Sequence, residues 1–421
     1  MLLDQLKAVL EIRINRNLDR KLVVASSDIA DFSSNDFLGL SRNSSFHKRY
    51  IDQLSKFPRP LGSTGSRLLD GNSDFAETLD TFLAQFHKAE SALTFTSGFD
   101  ANVGFFSCVP QPGDAIIFDE FIHASVHDGL KFSRAAVVTR FKHNDVEHLK
   151  ETLIKTVEKV GPEKNILVAV ESLYSMDGDF APLREIVEVL KPYNAYLFVD
   201  EAHATGVYGD QGRGIVCELG LERQVFARLH TFGKALGCNG AAILGPIVLR
   251  SYLINYARPL IFSTFLPYSS LLAIKCSYEI VSGEIGDQLR KNLQKLILKF
   301  RSSINLPSNV LLPSTSAIQG IIVPGNENAV KLSRVIQKAG YNVKPIRSPT
   351  VPLGKERLRI CIHADNTEEE IQGLVNEIEN YFKNNGNITS YKENVKNVTN
   401  DDNNSLSKKS TKHIFRHNSK L

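Results

Sequence analysis

Asp200-Glu201-Ala202-His203 and, further along, His230-Thr231-Phe232-Gly233-Lys234 are the stretches that decide the fold of this sequence. Asp200 ends the apolar run Tyr196–Asp200, which is typical of a buried strand. A carboxylate at a strand end, a histidine nearby and a lysine in a glycine-flanked turn suit a pyridoxal phosphate (PLP) site. In such a site the lysine amine binds the cofactor aldehyde covalently, and the aspartate pairs with the protonated pyridine nitrogen. We expect His203 to hydrogen-bond the ring hydroxyl oxygen and Thr231 to donate to the phosphate.

Two other interpretations of these stretches are possible. Asp-Glu-Ala-His is also a helicase box, but a helicase needs a Walker A loop, and Gly233-Lys234 is followed by Ala235 while Arg228 stands where the first glycine belongs. Asp200 could instead be a structural aspartate and Lys234 an exposed surface lysine. That alternative stays open for either residue alone, whereas both together at this spacing favour the cofactor site.

The surrounding sequence alternates short runs of β-branched or aromatic residues with helical patterns such as Leu183–Leu190. This alternation indicates right-handed βαβ units and an α/β fold with a mainly parallel sheet. Sites in such sheets form at the carboxyl ends of the strands. The runs predicted as strands are Ala92–Thr96, Ala115–Asp119, Ala135–Thr139, Ile166–Val170, Tyr196–Asp200 and Ala241–Leu244.

The chain is expected to divide into an N-terminal arm (1–34), a large cofactor-binding domain (35–268), a smaller α+β C-terminal domain (269–383) and a disordered tail (384–421). In the smaller domain, Gln319–Val323 and Arg357–Ile362 are predicted strands, and Thr367 to about Phe382 is a predicted helix that opens on a capping box. The tail is rich in Asn, Lys and Ser and has few large apolar residues, so it cannot bury enough surface to fold.

Composition excludes several classes of protein. The net charge is +4, and the tail accounts for all of it with seven Lys/Arg against three acids, so the body gives no reason to expect nucleic acid as a partner. No apolar run approaches the ~18 residues of a membrane helix, and the N-terminus lacks the features of a signal or transit peptide. The five cysteines contain no C-x-x-C pair, which favours reduced, buried thiols.

Further motifs extend the pattern over most of the chain, from about Leu18 to Ile378. Together they resemble the α-oxoamine synthases, PLP-dependent transferases of fold type I. The matching stretches are Ser33–Leu40, Gly62–Arg67, Thr96–Phe99, Phe118-Asp119, His123–Ser125, Ser175–Asp179, Asp200–Gly206, Thr231–Gly237 and Ser348–Pro352.

The resemblance implies roles for residues around the cofactor. Ser97-Gly98-Phe99 would open a helix whose N–H groups bind the phosphate, or else form a plain strand-to-helix turn. His123 would stack on the ring; a metal site with His127 is the alternative, but no Glu stands between them as in H-E-x-x-H. Ser175 would lie near the ring oxygen, or else cap a helix or turn.

The resemblance also implies substrate-binding residues. Asn35 and Thr350 would contact substrate, and Arg359 would bind the amino-acid carboxylate through two hydrogen bonds. Alternation along a strand would put Arg357 on the same face as Arg359. A surface salt bridge is the alternative role for either of them, and it is favoured more for Arg357. Arg347 is a second candidate for binding a carboxylate. The family's N-terminal arginine is assigned to Arg20, with Arg13 and Arg16 as alternatives. Thr64 departs from the glycine that many relatives carry, and a hydroxyl there could narrow the acyl channel.

The implied reaction joins an amino acid, by resemblance L-alanine, to an acyl-CoA such as pimeloyl-CoA, with loss of CoA and CO2. Lys234 is expected to remove the Cα proton while Asp200 keeps the ring cationic. The family also implies a homodimer in which Thr264 reaches the partner's phosphate. Alternatives are sister synthases that use glycine or serine, and a non-catalytic partner subunit, against which the presence of Lys234 counts.

The last three residues, Ser419-Lys420-Leu421, match the tripeptide that a peroxisomal import receptor binds at a free carboxyl terminus. Chance is the alternative in a tail rich in Lys and Ser. The sequence therefore predicts import into peroxisomes, with a cytoplasmic location otherwise.

Overall fold

The computed structural model describes residues 1–15, 18–24, 28–56 and 60–384. Arg16 and residues 385–421, which include the predicted targeting tripeptide, lie outside the described residues. The strands are β1 (Ala30–Asp31), β2 (Ser91–Phe95), β3 (Ala115–Asp119), β4 (Val137–Phe141), β5 (Ile166–Glu171), β6 (Ala195–Asp200), β7 (Ala227–Thr231), β8 (Ala241–Gly245), β9 (Ile318–Ile322), β10 (Tyr341–Asn342), β11 (Lys344–Ile346) and β12 (Arg357–Cys361).

The α-helices account for most of the remaining described residues. They are α1 (Leu2–Asn15), α2 (Ser44–Lys56), α3 (Asp74–Phe86), α4 (Gly98–Cys108), α5 (Ala124–Lys131), α6 (Val146–Val160), α7 (Leu183–Leu190), α8 (Ile215–Leu219), α9 (Ile247–Tyr256), α10 (Arg258–Phe262), α11 (Tyr268–Val281), α12 (Glu284–Ser303), α13 (Asn326–Lys338) and α14 (Glu368–Asn384). No helix among them is both long and apolar enough to cross a membrane.

A seven-stranded sheet in the order β2-β8-β7-β6-β5-β3-β4 forms the centre of one part of the structure, here called the larger lobe. All neighbouring strands are parallel except β8, which runs antiparallel to both β2 and β7. The α/β fold with a mainly parallel sheet is therefore confirmed. The carboxyl ends of β5, β6 and β7 meet at one edge, which brings Glu171, Asp200 and Thr231 together.

Both faces of this sheet are covered, which is why its central strands are almost continuously apolar. Successive residues alternate between two cores: Val168 and Val199 belong to one, whereas Ala169 and Phe198 belong to the other. Asp200 follows Val199 and so lies on the face of Phe198, the face on which α4 packs. This alternation places Asp200 beneath the helix that follows β2.

The C-terminal part of the structure, here called the smaller lobe, contains a three-stranded antiparallel sheet in the order β11-β12-β9. The N-terminal strand β1 pairs in parallel with β10, so residues before the larger lobe join the C-terminal part. The predicted capping box of α14 is confirmed, because the backbone N–H of Glu370 donates to Thr367 Oγ1 at 3.1 Å and that of Thr367 donates to Glu370 Oε2 at 3.0 Å.

Candidate active site

A cavity of about 250 Å³ opens at the edge where β5, β6 and β7 end. Its lining brings together nine residues that the sequence analysis singled out from separate motifs. They are Asn35, Ser97, Gly98, Phe99, His123, Asp200, His203, Thr231 and Lys234.

Lys234 lies in the tight connection between the neighbouring antiparallel strands β7 and β8. The backbone N–H of Gly237 donates to the Lys234 carbonyl at 2.8 Å, and that of Cys238 donates to the Phe232 carbonyl at 2.8 Å. Gly237 has φ +61°, and a Cβ atom there would lie 2.7 Å from the backbone nitrogen of Ser41. The turn therefore needs glycine, and it holds Lys234 at the cavity wall.

The Lys234 amine hydrogen-bonds His203, with Nζ 2.7 Å from His203 Nε2. Burial lowers the pKa of Lys234 to about 8, even though Asp200 and Glu171 favour its charged form. Burial also lowers the pKa of His203 well below its ordinary value, and the adjacent Lys234 charge adds to this. The imidazole of His203 is therefore neutral, and the lowered pKa of Lys234 allows its amine to act as nucleophile and base near neutral pH.

Asp200 is buried, and each of its carboxylate oxygens has a donor. Oδ1 accepts from the backbone N–H of Ala202 at 2.9 Å, and Oδ2 accepts from Asn102 Nδ2 at 3.0 Å. Asn102 Nδ2 also donates to Ser125 Oγ at 2.9 Å, and Ser125 Oγ lies 2.7 Å from His123 Nδ1. Hydrogen bonds thus connect the predicted ring partner Asp200 to the predicted stacking residue His123.

The first turn of α4 forms the opposite wall of the cavity. Ser97 caps this helix by accepting from the backbone N–H of Asp100 at 3.0 Å, and Gly98 follows with its N–H at the cavity. A Cβ atom on Gly98 would lie 2.6 Å from Thr231 Cγ2, so only glycine allows this close approach. The Thr231 methyl group thus faces Gly98, while its hydroxyl donates to the Ala202 carbonyl at 3.4 Å. The N-terminus of α4 is suited to hold a phosphate, and the role predicted for the Thr231 hydroxyl stays a prediction.

These residues fit PLP in their chemistry. The cavity offers an amine of lowered pKa, a buried carboxylate, a helix N-terminus for an anion and His123, which the sequence assigns to ring stacking. His203 Nδ1, Asn102 Oδ1 and Glu171 Oε1 are buried without a hydrogen-bond partner among the described residues. Unsatisfied polar atoms in a cavity are the expected mark of a site whose ligand completes the hydrogen bonds.

Ser175 lies outside this cavity, on the wall of a neighbouring one of about 560 Å³ that shares His123 with it. His143 connects the loop that carries Ser175 to the end of β3. Its Nδ1 is 2.9 Å from Asp119, the last residue of β3, and its Nε2 is 2.8 Å from Asp179 of the loop. Burial alone would lower the pKa of His143, but these two hydrogen bonds raise it to about 10. His143 is therefore protonated at neutral pH and forms charged hydrogen bonds with both carboxylates.

Arg359 and Arg357 reach the Ser175 loop from the smaller lobe. Arg359 Nε donates to the Ser175 carbonyl at 2.6 Å, and its Nη2 donates to Asn35 Oδ1 at 2.9 Å. Arg357 pairs with Asp177 at 2.8 Å and is only 3% exposed. Arg357 therefore forms a salt bridge, which was the alternative role given to it from sequence. The salt bridge is buried and not on the surface, because the Ser175 loop covers it.

The other predicted substrate residues lie further out. Arg20 and Arg347 line a third cavity of about 130 Å³ together with Arg13, and Thr350 lines both this cavity and the 560 Å³ one. Thr264 lies on the surface of the chain and outside these cavities, beside Ser66 in an isolated β-bridge. Thr64 is exposed at φ +60°.

Comparison with known proteins follows this geometry. The family model described as aminotransferase class I and II matches residues 27–378, most of the chain. The chain belongs to this family.

Within the aminotransferase class I and II family, the chain is similar to α-oxoamine synthases. It is 45% identical to an 8-amino-7-oxononanoate synthase of Emericella nidulans over 394 residues, covering 90% of this chain and 96% of the relative. Serine palmitoyltransferase from S. paucimobilis, solved with PLP-myriocin bound, superposes with a TM-score of 0.80 at 26% identity over 90% of this chain and 97% of that one. An 8-amino-7-oxononanoate synthase from Francisella tularensis gives 0.69 at 26% identity, covering 86% and 99%. The chain is a PLP-dependent acyltransferase of fold type I.

Two buried polar residues of the Lys234 cavity were not predicted from the sequence: Asn102 and Glu171. Asn102 lies one helical turn after Gly98, and that i, i+4 spacing from a predicted phosphate-binding glycine could have revealed it. Glu171 is the register neighbour of Asp200 and was missed because the predicted strand stopped at Val170. Burial raises the pKa of Glu171 well above its ordinary value, and the nearby Asp200 charge adds to this.

Proposed function

We propose that this chain condenses L-alanine with pimeloyl-CoA to give 8-amino-7-oxononanoate, CoA and CO2, a step of biotin synthesis. The observation that carries the proposal is the 45% identity to a fungal 8-amino-7-oxononanoate synthase along almost its whole length. The Lys234 cavity supports the chemistry, and the similar relative supports the choice of substrates.

PLP, when bound, supplies an aldehyde that captures the amino-acid nitrogen and a cationic ring that accepts the electron pair left at Cα. Lys234 removes the Cα proton, since its lowered pKa keeps much of the amine neutral near pH 8. Asp200 would accept a hydrogen bond from the protonated ring nitrogen, and the Ala202 N–H and Asn102 amide fix the carboxylate for that role. After the acyl group is transferred and CO2 has left, Lys234 returns a proton to the same carbon.

Arg359 is assigned to the carboxylate of the amino acid. Of the five N–H groups of an arginine, Arg359 uses three within the described part of the chain, toward Ser175, Cys361 and Asn35. The remaining two allow it to bind a carboxylate beside Asn35, which lines the Lys234 cavity.

The acyl chain needs space beyond the Lys234 cavity. The 560 Å³ cavity shares His123 with the cofactor cavity, and it shares Pro349 and Thr350 with the cavity of Arg20 and Arg347. A chain that starts at Lys234 and ends in a carboxylate would thus find arginines at its far end.

A CoA-release assay that crosses alanine, glycine and serine with pimeloyl-, succinyl-, acetyl- and palmitoyl-CoA tests the proposal. We expect alanine with pimeloyl-CoA to give the highest kcat/KM, by about tenfold or more over alanine with the other acyl-CoAs. Acetyl and palmitoyl chains lack a distal carboxylate, and the carboxylate of a succinyl chain lies three carbons nearer the thioester. Mass spectrometry of the amino ketone identifies the product. A clear preference for glycine with succinyl- or acetyl-CoA would contradict the proposal.

A sister synthase that joins serine to a long-chain acyl-CoA is the second candidate. The TM-score of 0.80 to serine palmitoyltransferase favours it. The same assay separates the two, because that enzyme would prefer serine with palmitoyl-CoA over every pair containing pimeloyl-CoA.

We propose further that the enzyme acts as a homodimer in which Thr264 donates to the phosphate bound in the partner chain. Thr264 is exposed and lies outside the Lys234 cavity of its own chain, which suits a contribution to another one. A Thr264→Ala variant is then expected to lose cofactor affinity without losing the dimer.

The location of the enzyme is proposed from Ser419-Lys420-Leu421. A fluorescent protein fused in front of residues 384–421, with Leu421 as its last residue, is expected to collect in peroxisomal puncta, because the receptor reads a terminal tripeptide on an accessible tail. The matched control lacks the last three residues and should be diffuse. Diffuse fluorescence of the intact fusion in cells with working peroxisomes would contradict the targeting proposal and leave the catalytic one unaffected.

A further inference from the structure

Asn102 is a buried amide at the centre of the cofactor cavity, only 1% exposed, on the inner face of α4. Its Nδ2 group donates to Asp200 Oδ2 at 3.0 Å and to Ser125 Oγ at 2.9 Å. Ser125 is fully buried and lies between Asn102 and His123. One side chain therefore contacts the ring partner Asp200 directly and the stacking residue His123 through a single hydroxyl.

The orientation of the Asn102 amide is fixed by its partners. A carboxylate only accepts hydrogen bonds, so Nδ2 must face Asp200, and a flipped amide would place two acceptors against each other. The buried Oδ1 atom then has no partner among the described residues. Both Nδ2 hydrogens of Asn102 are thus used within the protein, while Oδ1 stays available as an acceptor.

The hydrogen bond between Ser125 and His123 also has a fixed direction. The backbone N–H of Ser125 donates to His123 Nδ1 at 3.2 Å, so Nδ1 is an acceptor. The Ser125 hydroxyl, whose oxygen accepts from Asn102, therefore donates to Nδ1 at 2.7 Å. With two donors at Nδ1, His123 is neutral and carries its proton on Nε2.

We propose that Asn102 is a positioning residue that sets the Asp200 carboxylate and, through Ser125, the neutral tautomer of His123 together. Without the Asn102 amide, the Ser125 hydroxyl can rotate and accept from a protonated His123. The imidazolium would then gain a partner, so the pKa of His123, which burial holds below its ordinary value, would rise. Among the described residues, the charged and titratable groups around His123 are Asp200, Lys234, His127, His203 and Glu171, with Glu120, Arg140, Tyr174, Asp177 and Arg357 across the shared cavity.

The test uses the full-length enzyme and two readouts, the dissociation constant of PLP and the acidic limb of the pH profile of kcat/KM. The limb is taken as the lower of its two inflections, because ionisation of Lys234 near pH 8 gives the upper one. Asn102→Leu should weaken PLP binding about tenfold, because Asp200 loses a donor, and should move the acidic limb up by roughly half to one pH unit. Ser125→Ala should move the limb in the same direction and leave PLP affinity within about twofold, since it does not contact Asp200. In the double variant the limb should match that of Ser125→Ala, because Asn102 acts on His123 only through the Ser125 hydroxyl, and the PLP affinity should match that of Asn102→Leu.

Asn366→Leu is the matched control. Asn366 is a buried amide that donates to the Asp31 carbonyl at 3.2 Å, outside the cofactor cavity, so its loss should lower Tm without moving the limb or the PLP affinity. An unmoved limb in both Asn102→Leu and Ser125→Ala, or limb shifts that simply add in the double variant, would overturn the proposal. Should Asn102→Leu fail to fold, the limb of Ser125→Ala decides alone. The kinetic readout rests on the proposed substrates, whereas PLP binding does not, so failure of the substrate assignment is distinguishable.

Discussion

Replacing Lys234 with alanine is expected to abolish condensation and leave the protein folded. Lys234 supplies both the amine that binds the cofactor and the base that moves the Cα proton, and loss of a general base alone costs about 10²- to 10⁴-fold. Its side chain protrudes into a cavity from a turn held by backbone hydrogen bonds, so truncation leaves the turn intact. We expect activity at least about a thousandfold below that of the unaltered enzyme.

Purified wild-type enzyme should be yellow, and reduction with borohydride should fix the cofactor to Lys234, as peptide mapping would show. Lys234→Ala should bind PLP without any covalent label, whereas Lys191→Ala, which removes an exposed lysine paired with Glu188 at 2.6 Å, should behave like wild type. Normal turnover by Lys234→Ala would show that another residue carries the chemistry.

The capture of PLP by the apoenzyme should also depend on pH. The pKa of Lys234 is lowered to about 8. The fraction of Lys234 present as the neutral, nucleophilic amine therefore increases as pH rises through 8 and is small about two pH units below it. Stopped-flow absorbance should therefore show the capture rate rising with pH through that value.

The position of Asp200 could be predicted from sequence because an apolar run and a polar residue at its end suffice to indicate a strand and a site. The strand β7 could not be predicted in this way. Its Arg228 and His230 interrupt the apolar pattern, yet both are buried, with Arg228 Nη2 donating to the His87 carbonyl at 2.8 Å and His230 Nδ1 lying 2.9 Å from Thr205 Oγ1. These partners come from distant parts of the chain, which no local pattern reveals.

The edge strand β4 shows a second limit. It begins at Val137 and not at Ala135, because Val137 pairs with Ala115 of β3 and the pairing fixes the register. Only one face of this edge strand is well covered, so its apolar signal is weak. The hydrogen bonds of Asn102 to Ser125 and Asp200 could not be predicted either, because they depend on how α4 packs against α5 and the end of β6.

Asp200→Asn is expected to keep the fold and lose most of the activity, by about a hundred- to a thousandfold in kcat, as when one preorganised electrostatic partner is removed. A neutral amide cannot balance a positive ring nitrogen as a carboxylate does. The surroundings make the change worse: both Asp200 oxygens accept hydrogen bonds, from Ala202 and Asn102, whereas an amide can accept at only one of them. Its NH2 group would face a donor in either orientation.

Asp114→Asn is the matched control for the last prediction. Asp114 is also buried, but it precedes β3 at the opposite edge of the sheet, where it accepts from the backbone N–H of Gln111 at 2.8 Å and from Asn165 Nδ2 at 3.0 Å. Its replacement should lower Tm and change kcat by no more than about twofold, because it contacts no part of the cofactor cavity. With both variants loaded with PLP and compared at equal occupancy, a large kcat loss confined to Asp200→Asn assigns the ring charge to that carboxylate. Equal turnover in the two variants would mean that Asp200 does not pair with the ring, and the neighbouring carboxyl of Glu171 would be the next to replace.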